Sequence, residues 1–145
     1  MLVKLCYNRR VGLGVEAATN IPQGTRVLFY NGIVWSNVDA HHQGQLRQSH
    51  FMTIKGTGCT IDGGYDILFP NEPTPNFEKL YQVPTGLMSL TNSSDNYKPA
   101  NCIEFHDDRD PGTYVNGNNL NTTAWLITTR DIEIGEELIW NYLVR

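Results

Sequence analysis

Glycine and proline divide this chain into short segments, and no other feature of the sequence limits its possible folds as much. The 145 residues include 13 glycines and 7 prolines. No stretch repeats apolar residues at i, i+3, i+4 and i+7 for long enough to predict an extended amphipathic helix. The segments between the breakers are rich in β-branched and aromatic residues, which favour strands. We therefore predict a mainly β fold with few short helices.

The predicted strands are short, and turns are predicted between them, among them Asn31-Gly32, Gly63-Gly64 and Asn116-Gly117. They are Leu2–Tyr7, Gly14–Ala17, Arg26–Phe29, Ile33–Trp35, Phe51–Ile54, Cys59–Ile61, Cys102–Phe105, Ala124–Thr128 and Glu137–Asn141. Short helical turns are expected within Val38–His50, where Asp39 can cap, and within Thr85–Leu90. Because Tyr65–Pro84 contains Pro70, Pro73, Pro75 and Pro84, we predict a long surface loop inserted there.

Length and charge narrow the class of protein. A chain of 145 residues has the size of one globular domain, so residues 1–145 are expected to form a single domain with its own core. The net charge is −4, and the basic residues are scattered apart from Arg9 and Arg10. No basic stripe is present to follow a phosphate backbone, so direct nucleic-acid binding is not expected.

Cysteine and histidine usage argues against a metal site. The three cysteines are far apart and contain no C-x-x-C pair, which predicts neither a disulfide framework nor a zinc site. His41 and His42 are adjacent and fit a solvated surface better than one ion. The sequence shows neither a secretory signal nor an apolar run of about 20 residues, so we expect an intracellular protein, nuclear or cytoplasmic, without membrane contact.

Three separated motifs carry the functional information. The segment GLGVEA at Gly12–Ala17 is followed by IPQGTRV at Ile21–Val27, and later LTNSS at 90–94 precedes PANC at 99–102. The longest motif is TRDIEIGEELIWNY at Thr129–Tyr142. In this order they resemble the SET-domain family, whose patterns are G-x-G-V with I-x-x-G-x-x-V, then R-F-x-N-H-S-C-x-P-N-C, then R-D-I-x-x-G-E-E-L-x-Φ-x-Y. A lone G-x-G is weak evidence, whereas the ordered set is specific.

The resemblance implies a protein-lysine methyltransferase that uses S-adenosylmethionine as methyl donor, with a lysine in a protein substrate, such as a histone, as acceptor. It also implies a SET-domain fold of small curved β-sheets with a C-terminal pseudoknot. In that fold the C-terminal segment passes under the loop that carries the N-H-S motif. This threading would place the cofactor and the catalytic tyrosine side by side, so the sequence separation between Asn92 and Tyr142 is no obstacle.

The same resemblance assigns cofactor-binding residues. Backbone at Gly12, Leu13 and Gly14 is expected to contact the cofactor, since glycine lets a ligand approach closely. An asparagine amide offers both donor and acceptor to the amino-acid end of the cofactor, which is the role implied for Asn92. Ser93 replaces the family's histidine, so only its backbone is expected at the adenine edge. His50 lies near a family position facing the cofactor.

Tyr142 is the predicted catalytic residue. The amine of lysine, with a pKa near ~10.4, must lose a proton before it can attack, and an apolar aromatic channel favours the neutral form. Tyr30 and Trp140 are predicted to line this channel, although ordinary core packing is the alternative for both. The bulk of Trp140 predicts few added methyl groups. Glu136 and Glu137 are expected to form a turn rather than an acid–base pair.

Two departures keep a second function open. Ser93 and the large Trp140 support a non-catalytic SET-like module that binds proteins, while Asn92 and Tyr142 argue for an enzyme. A third alternative is an unrelated β-rich interaction domain, which would require the ordered motifs to be coincidence. In many family members a segment beyond the tyrosine covers the lysine. Here the cover is expected from the Tyr65–Pro84 stretch, from the substrate or from the second subunit of a homodimer.

Overall fold

The computed structural model builds the chain from short strands, in agreement with the predicted class. It describes residues 2–8, 12–42, 51–63, 88–94, 98–110, 116–117 and 120–142. The strands are β1 (Val3–Asn8), β2 (Gly12–Ala17), β3 (Arg26–Phe29), β4 (Ile33–Ser36), β5 (Phe51–Ile54), β6 (Cys59–Asp62), β7 (Asn92–Ser93), β8 (Cys102–Asp107), β9 (Asn116–Gly117), β10 (Thr123–Thr128) and β11 (Ile139–Trp140). Helix is confined, in these ranges, to α1 (Asn37–His41) and a 3-10 turn at Met88–Leu90.

Within the described ranges these strands form four small sheets. Strands β1 and β2 pair as an antiparallel ribbon, and β3, β10 and β8 form an antiparallel sheet in that order. A third sheet has the order β5-β6-β4-β9, with β9 parallel to β4. The fourth is the parallel pair β11 and β7, which joins the last strand to the middle of the chain. The fold is therefore completed by its C-terminal segment.

Strand periodicity explains how the core is filled. In the ribbon, Val3 lies opposite Ala17 and Leu5 opposite Val15, and all four are buried. Because side chains alternate across a strand, this register points one apolar face inward. The ribbon joins one core cluster with Leu126 of β10 and the side chains of β4, β5 and β6. Burying each such aliphatic side chain contributes about 1.5–3 kcal/mol.

The structure corrects two local predictions. Ser36, rather than Asp39, caps α1, since its hydroxyl accepts the Asp39 backbone N–H at 3.1 Å. Asn116 and Gly117, predicted as a turn, instead pair with β4. The tertiary pairing overrides the local turn preference of Asn-Gly. The predicted loop at 65–84 lies outside the described residues.

Two further expectations concern the whole fold. The parallel pairing of β7 with β11 agrees with a C-terminal segment that returns to the 92–93 region, while its threading as a pseudoknot stays a prediction. No helix among the described residues is long and apolar enough to cross a bilayer.

Candidate functional site

The parallel pairing of β7 and β11 brings the second and third motifs together. Ile139 lies opposite Asn92 and Trp140 opposite Ser93, and the Ser94 N–H donates to the Trp140 carbonyl at 3.0 Å. This short pair leaves Asn92 and Tyr142 at neighbouring positions, although they are distant in sequence. The structure thus brings the segment Asn92–Ser94 and Tyr142 together in one region.

Buried Asn101 holds β11 in this position. Its side-chain oxygen accepts the Ile139 N–H at 2.9 Å, and its amide nitrogen donates to the Glu137 carbonyl at 2.9 Å. Its own backbone N–H donates to the Ile139 carbonyl at 3.0 Å, and its carbonyl accepts the Thr129 N–H at 2.9 Å. Since β11 has only two residues, these bonds take the place of a longer ladder.

Tyr142 is half-buried at the end of this segment. Its hydroxyl donates to the Thr91 carbonyl, and its backbone N–H donates to the Ser93 hydroxyl at 3.3 Å. Its ring lies beside that of Trp140, with centroids 4.8 Å apart and planes at 58°. Because the phenolic proton is donated to a backbone carbonyl, the oxygen is set to accept hydrogen bonds from other groups.

Trp140 is a buried neighbour of Tyr142. Only 2% of the residue is exposed, and its indole N–H donates to the Thr91 hydroxyl at 2.8 Å. That hydroxyl in turn donates to the Met88 carbonyl at 2.6 Å. The indole is therefore fixed by a short hydrogen-bonded chain that also holds the segment before β7. Whether its ring also lines a lysine channel stays a prediction.

Tyr30, the other predicted channel residue, is buried against a different part of the site. Its backbone N–H donates to the Ala124 carbonyl at 2.9 Å. A Cβ built on Gly63 would lie 2.6 Å from the Tyr30 ring and 2.7 Å from the Ser89 Cβ, so the three residues are closely packed. The Tyr30 ring therefore lies near the 3-10 turn that precedes β7, and its approach to Tyr142 stays a prediction.

The glycine motif forms a narrow cradle with Asn92. A Cβ added at Gly14 would lie 2.8 Å from both the Asn92 amide nitrogen and a Glu137 carboxylate oxygen, and 3.2 Å from the Cys6 sulfur. A larger residue at this position would have to displace the ends of these side chains. Gly12 has φ +83, a conformation that glycine adopts without strain. The described backbone thus passes against Asn92 at the positions predicted to meet the cofactor.

Asn92 uses its amide nitrogen for contacts within the protein. That nitrogen donates to the Leu13 carbonyl at 3.1 Å and to a Glu137 carboxylate oxygen at 2.8 Å. A primary amide has two N–H donors and one carbonyl acceptor. With both donors engaged, the carbonyl oxygen of Asn92 is the group that it can offer to a ligand.

The cradle has an acidic character. The Glu137 side chain is 7% exposed, and the ammonium of Lys98 lies 4.0 Å from its other carboxylate oxygen. Burial, followed by the charges of Glu137 and Glu16, raises the pKa of the Cys6 thiol to about 12. The thiol is therefore neutral at physiological pH. An acceptor oxygen beside a buried carboxylate fits the ammonium of an amino-acid group.

The predicted site residues are accounted for as follows. The contacts described above join six of the predicted site residues: Leu13, Gly14, Asn92, Ser93, Trp140 and Tyr142. Gly12 is the first residue of β2, and Tyr30 packs near Ser89 of the 3-10 turn. Ser93 is buried, and its hydroxyl supports the Tyr142 backbone. His50 lies outside the described residues. Cofactor and substrate contacts at all of these positions remain predictions.

Glu137 was not predicted as a site residue. The sequence predicts a turn that contains both Glu136 and Glu137, and the structure separates the two side chains. Glu136 forms an exposed ion pair with Arg130 at 2.7 Å, whereas Glu137 points to Asn92. One feature of the sequence could have indicated this role. Glu137 directly precedes the apolar run Leu138–Trp140, and charged residues are uncommon beside a buried strand.

Comparison with known proteins concerns the same part of the chain. The SET-domain family model matches residues 12–143. The solved SET domain of ATXR5 in complex with histone H3 di-methylated on an arginine matches with a TM-score of 0.64 and 18% identity, covering 99% of this chain and 58% of that chain. CpSET8 from Cryptosporidium matches with a TM-score of 0.63 and 18% identity, covering 97% of this chain and 56% of that chain.

The two structural matches are evidence for the fold of this chain. At 18% identity the structural likeness establishes the fold. This chain spans less than three-fifths of the length of those solved chains. No curated protein matches the chain. The residue geometry must therefore carry any argument about activity.

Proposed function

Because this chain belongs to the SET-domain family, we propose that it transfers a methyl group from S-adenosylmethionine to the side-chain amine of a lysine in a protein substrate. The observation that carries the proposal is the convergence of Tyr142 and the Asn92 cradle through the β7–β11 pair. A methyl transferase of this kind needs a place for an amino-acid group beside a hydroxyl that can aim an amine. This region of the chain supplies both.

The cradle is proposed to hold the cofactor. The Asn92 carbonyl oxygen would accept from the ammonium of the cofactor, and the backbone at Gly12, Leu13 and Gly14 would lie along its amino-acid part. Ser93 contributes its backbone, because its hydroxyl already accepts from Tyr142. When bound, S-adenosylmethionine supplies a methyl group on a positively charged sulfur, which is open to in-line attack by an amine.

Tyr142 is proposed to orient the substrate amine. Its hydroxyl donates to Thr91, so the phenolic oxygen can accept an N–H from a neutral lysine amine and direct the amine's lone pair. The buried rings of Tyr30 and Trp140 provide surroundings that disfavour an ammonium ion and lower the pKa of a lysine there. Rigid placement of Tyr142 by Thr91 and Ser93 limits the entropy lost in reaching the reactive geometry.

The test is methyl transfer from labelled S-adenosylmethionine to histones and to cell extract. Tyr142→Phe removes the hydroxyl but keeps the ring, so we expect transfer to fall by about 10²-fold or more, the scale of a lost positioning group. Tyr7→Phe is the matched control, since Tyr7 is 68% exposed and lies on β1. Equal activity of Tyr142→Phe and wild type would contradict the role of Tyr142.

A second function is kept because of two observations. Ser93 stands where the family has histidine, and Trp140 is a buried indole fixed by hydrogen bonds. Both fit a SET-like module that binds proteins without turnover. Cofactor binding by calorimetry with no transfer to any substrate would favour that module. Absence of both binding and transfer would reject the proposed activity.

The proposal includes partners and location. Histone tails are the first substrates to test, because the ATXR5 structures are complexes with histone H3. We propose that the protein acts inside the cell on lysine-bearing proteins, as one domain, without direct contact to nucleic acid or membrane. A homodimer is proposed as one way to cover the lysine channel, and sedimentation would detect it.

A further inference from the structure

We infer that Glu137 is a positioning residue, which holds the Asn92 amide so that its carbonyl oxygen faces the ammonium of the cofactor. The inference rests on the proposed function and adds to it a residue that does not itself contact the reacting atoms. It is carried by the hydrogen bond between Glu137 and Asn92 and by the close approach of both side chains to Gly14.

The buried Glu137 carboxylate is held in place by contacts at both of its ends. One Glu137 oxygen accepts the Asn92 amide at 2.8 Å, and the other lies 4.0 Å from the Lys98 ammonium. The Glu137 carbonyl accepts the Asn101 amide at 2.9 Å, which fixes the backbone from which this side chain extends. A side chain that is 7% exposed and held at both ends has little freedom to turn away.

The Asn92 amide has two possible orientations, and Glu137 favours one of them. Turning the Asn92 amide by half a rotation would exchange its oxygen and nitrogen. In the turned state its oxygen would face the Leu13 carbonyl and the Glu137 carboxylate, which both repel it. The observed orientation gives each acceptor an N–H. Glu137 therefore disfavours the state in which Asn92 would present N–H groups to an ammonium.

A bound cation near Asn92 would further stabilise the buried charge of Glu137. A buried charge is costly unless it is paired and hydrogen-bonded. The contacts of Glu137 include the Asn92 N–H at 2.8 Å and the ammonium of half-exposed Lys98 at 4.0 Å. A cationic group bound near Asn92 would favour the ionised carboxylate further. Glu136 provides the contrast, because its carboxylate is spent on the exposed pair with Arg130.

The experiment compares two ligands by calorimetry without any turnover. S-adenosylhomocysteine carries the amino-acid group, and 5′-methylthioadenosine lacks it. For Glu137→Ala we expect the Kd of S-adenosylhomocysteine to rise by about 10-fold, the effect of one charge-assisted hydrogen bond. The Kd of 5′-methylthioadenosine should change by less than about 2-fold, within the scatter of distant substitutions. Glu136→Ala is the matched control and should leave both constants unchanged.

Two further variants make the test independent of folding effects. Glu137→Gln keeps an oxygen that can accept from Asn92, so it should restore most of the affinity for S-adenosylhomocysteine. In an Asn92→Ala background, Glu137→Ala should cause no additional loss, since the two residues act as a unit. If Glu137→Ala does not fold, Glu137→Met takes its place, because it fills a similar volume without an acceptor oxygen and should weaken S-adenosylhomocysteine by the same ~10-fold while sparing 5′-methylthioadenosine.

The possible failures are distinct. Equal weakening of both ligands by Glu137→Ala, or no weakening of either, would overturn the positioning role and leave the proposed function standing. Additive losses in the double variant would also overturn it. Failure of the wild-type protein to bind S-adenosylhomocysteine would reject the proposed function, and the inference with it.

Discussion

Gly14 lies where β2 passes closest to the Asn92 amide and the Glu137 carboxylate. We predict that Gly14→Ala weakens S-adenosylhomocysteine binding by about 10-fold or more, because displacing Asn92 forfeits a hydrogen bond of ~1.5–3 kcal/mol. The new Cβ would stand 2.8 Å from both side chains. Calorimetry measures the effect on the Kd of that ligand.

A second glycine supplies the control for this prediction. Gly24 has φ +81 and no heavy atom within 4 Å of an added Cβ. Gly24→Ala should therefore lower stability by about 1 kcal/mol through backbone strain and leave the Kd unchanged. If both variants weaken binding alike, the effect belongs to general destabilisation and the steric explanation is wrong.

The sequence motifs predict some site residues and miss others for a physical reason. Asn92 and Tyr142 each carry a side chain whose chemistry is evident from its motif, and the fold brings them together. Glu137 acquires its role only from β2 and β7, which lie far away in sequence. Its neighbour Glu136 has the same local pattern, so spacing alone could not separate the two carboxylates.

At the scale of elements, Asn101 provides several of the hydrogen bonds that hold β11. We predict that Asn101→Ala lowers the free energy of unfolding by about 2 kcal/mol or more, because the Glu137 carbonyl and the Ile139 N–H both lose their partner in a buried region. Urea denaturation at constant temperature measures this loss. The exposed Asn121→Ala should change stability by less than about 0.5 kcal/mol. A similar, small loss in both variants would show that β11 is held by other contacts.

The turn before β11 is tied by an ion pair, which makes its stability depend on pH. Arg130 donates to both Glu136 oxygens at 3.2 and 2.7 Å, and Glu136 also accepts the Glu133 N–H at 2.9 Å. The Arg130 hydrogen bond, and after it the Glu133 backbone hydrogen bond, lowers the pKa of Glu136 below 4.5, the ordinary value for a glutamate. The carboxylate therefore stabilises the folded chain above this pH, and its contribution is lost as pH falls through the folded pKa.

We predict that Glu136→Gln lowers stability by about 0.5 kcal/mol at neutral pH, a small value because the pair is largely exposed. The difference from wild type should disappear well below pH 4.5, where the carboxyl group is protonated in both states. Urea unfolding across a pH series measures it. Glu133→Gln, at an exposed position of the same turn, is the control. A difference that persists in acid would assign the effect to packing instead of charge.

A strand could be predicted from the sequence where its local residue pattern agrees with its pairing in the folded structure. Strands β3 and β5 occupy the predicted residues without change. The two-residue strands β7 and β9 were missed, because each exists through a parallel partner elsewhere in the chain. A pair of residues carries too little periodicity to signal a strand. Asn116–Gly117 shows the same limit, since its turn preference yields to the edge of β4.

At the scale of the whole molecule, the proposed site depends on segments from the whole length of the chain. Cys6 and Gly14 come from the first ribbon, Asn92 from the middle, and Glu137 and Tyr142 from the last segment. Loops between such distant contacts must close before the contacts form, which costs chain entropy. The cradle is therefore expected to form only with the complete fold, and cofactor affinity should report on folding of the molecule as a unit.

The net charge of −4 bears on substrate encounter. A lysine-bearing peptide with basic neighbours should be attracted by this net negative charge, and salt screens exposed charges over ~8–10 Å. We predict that the KM for a basic peptide rises by about 3-fold between ~50 and ~500 mM salt, a range over which the screening length falls severalfold.

The cofactor provides the internal comparison for this effect. The Kd of S-adenosylhomocysteine should change less than the peptide KM, because Glu137 and Asn92 lie in a mostly buried cradle that salt screens weakly. A peptide that keeps the target lysine but has neutral flanking residues should lose the salt dependence. If the neutral peptide responds as strongly as the basic one, salt acts on the protein itself and long-range attraction plays no part in peptide binding.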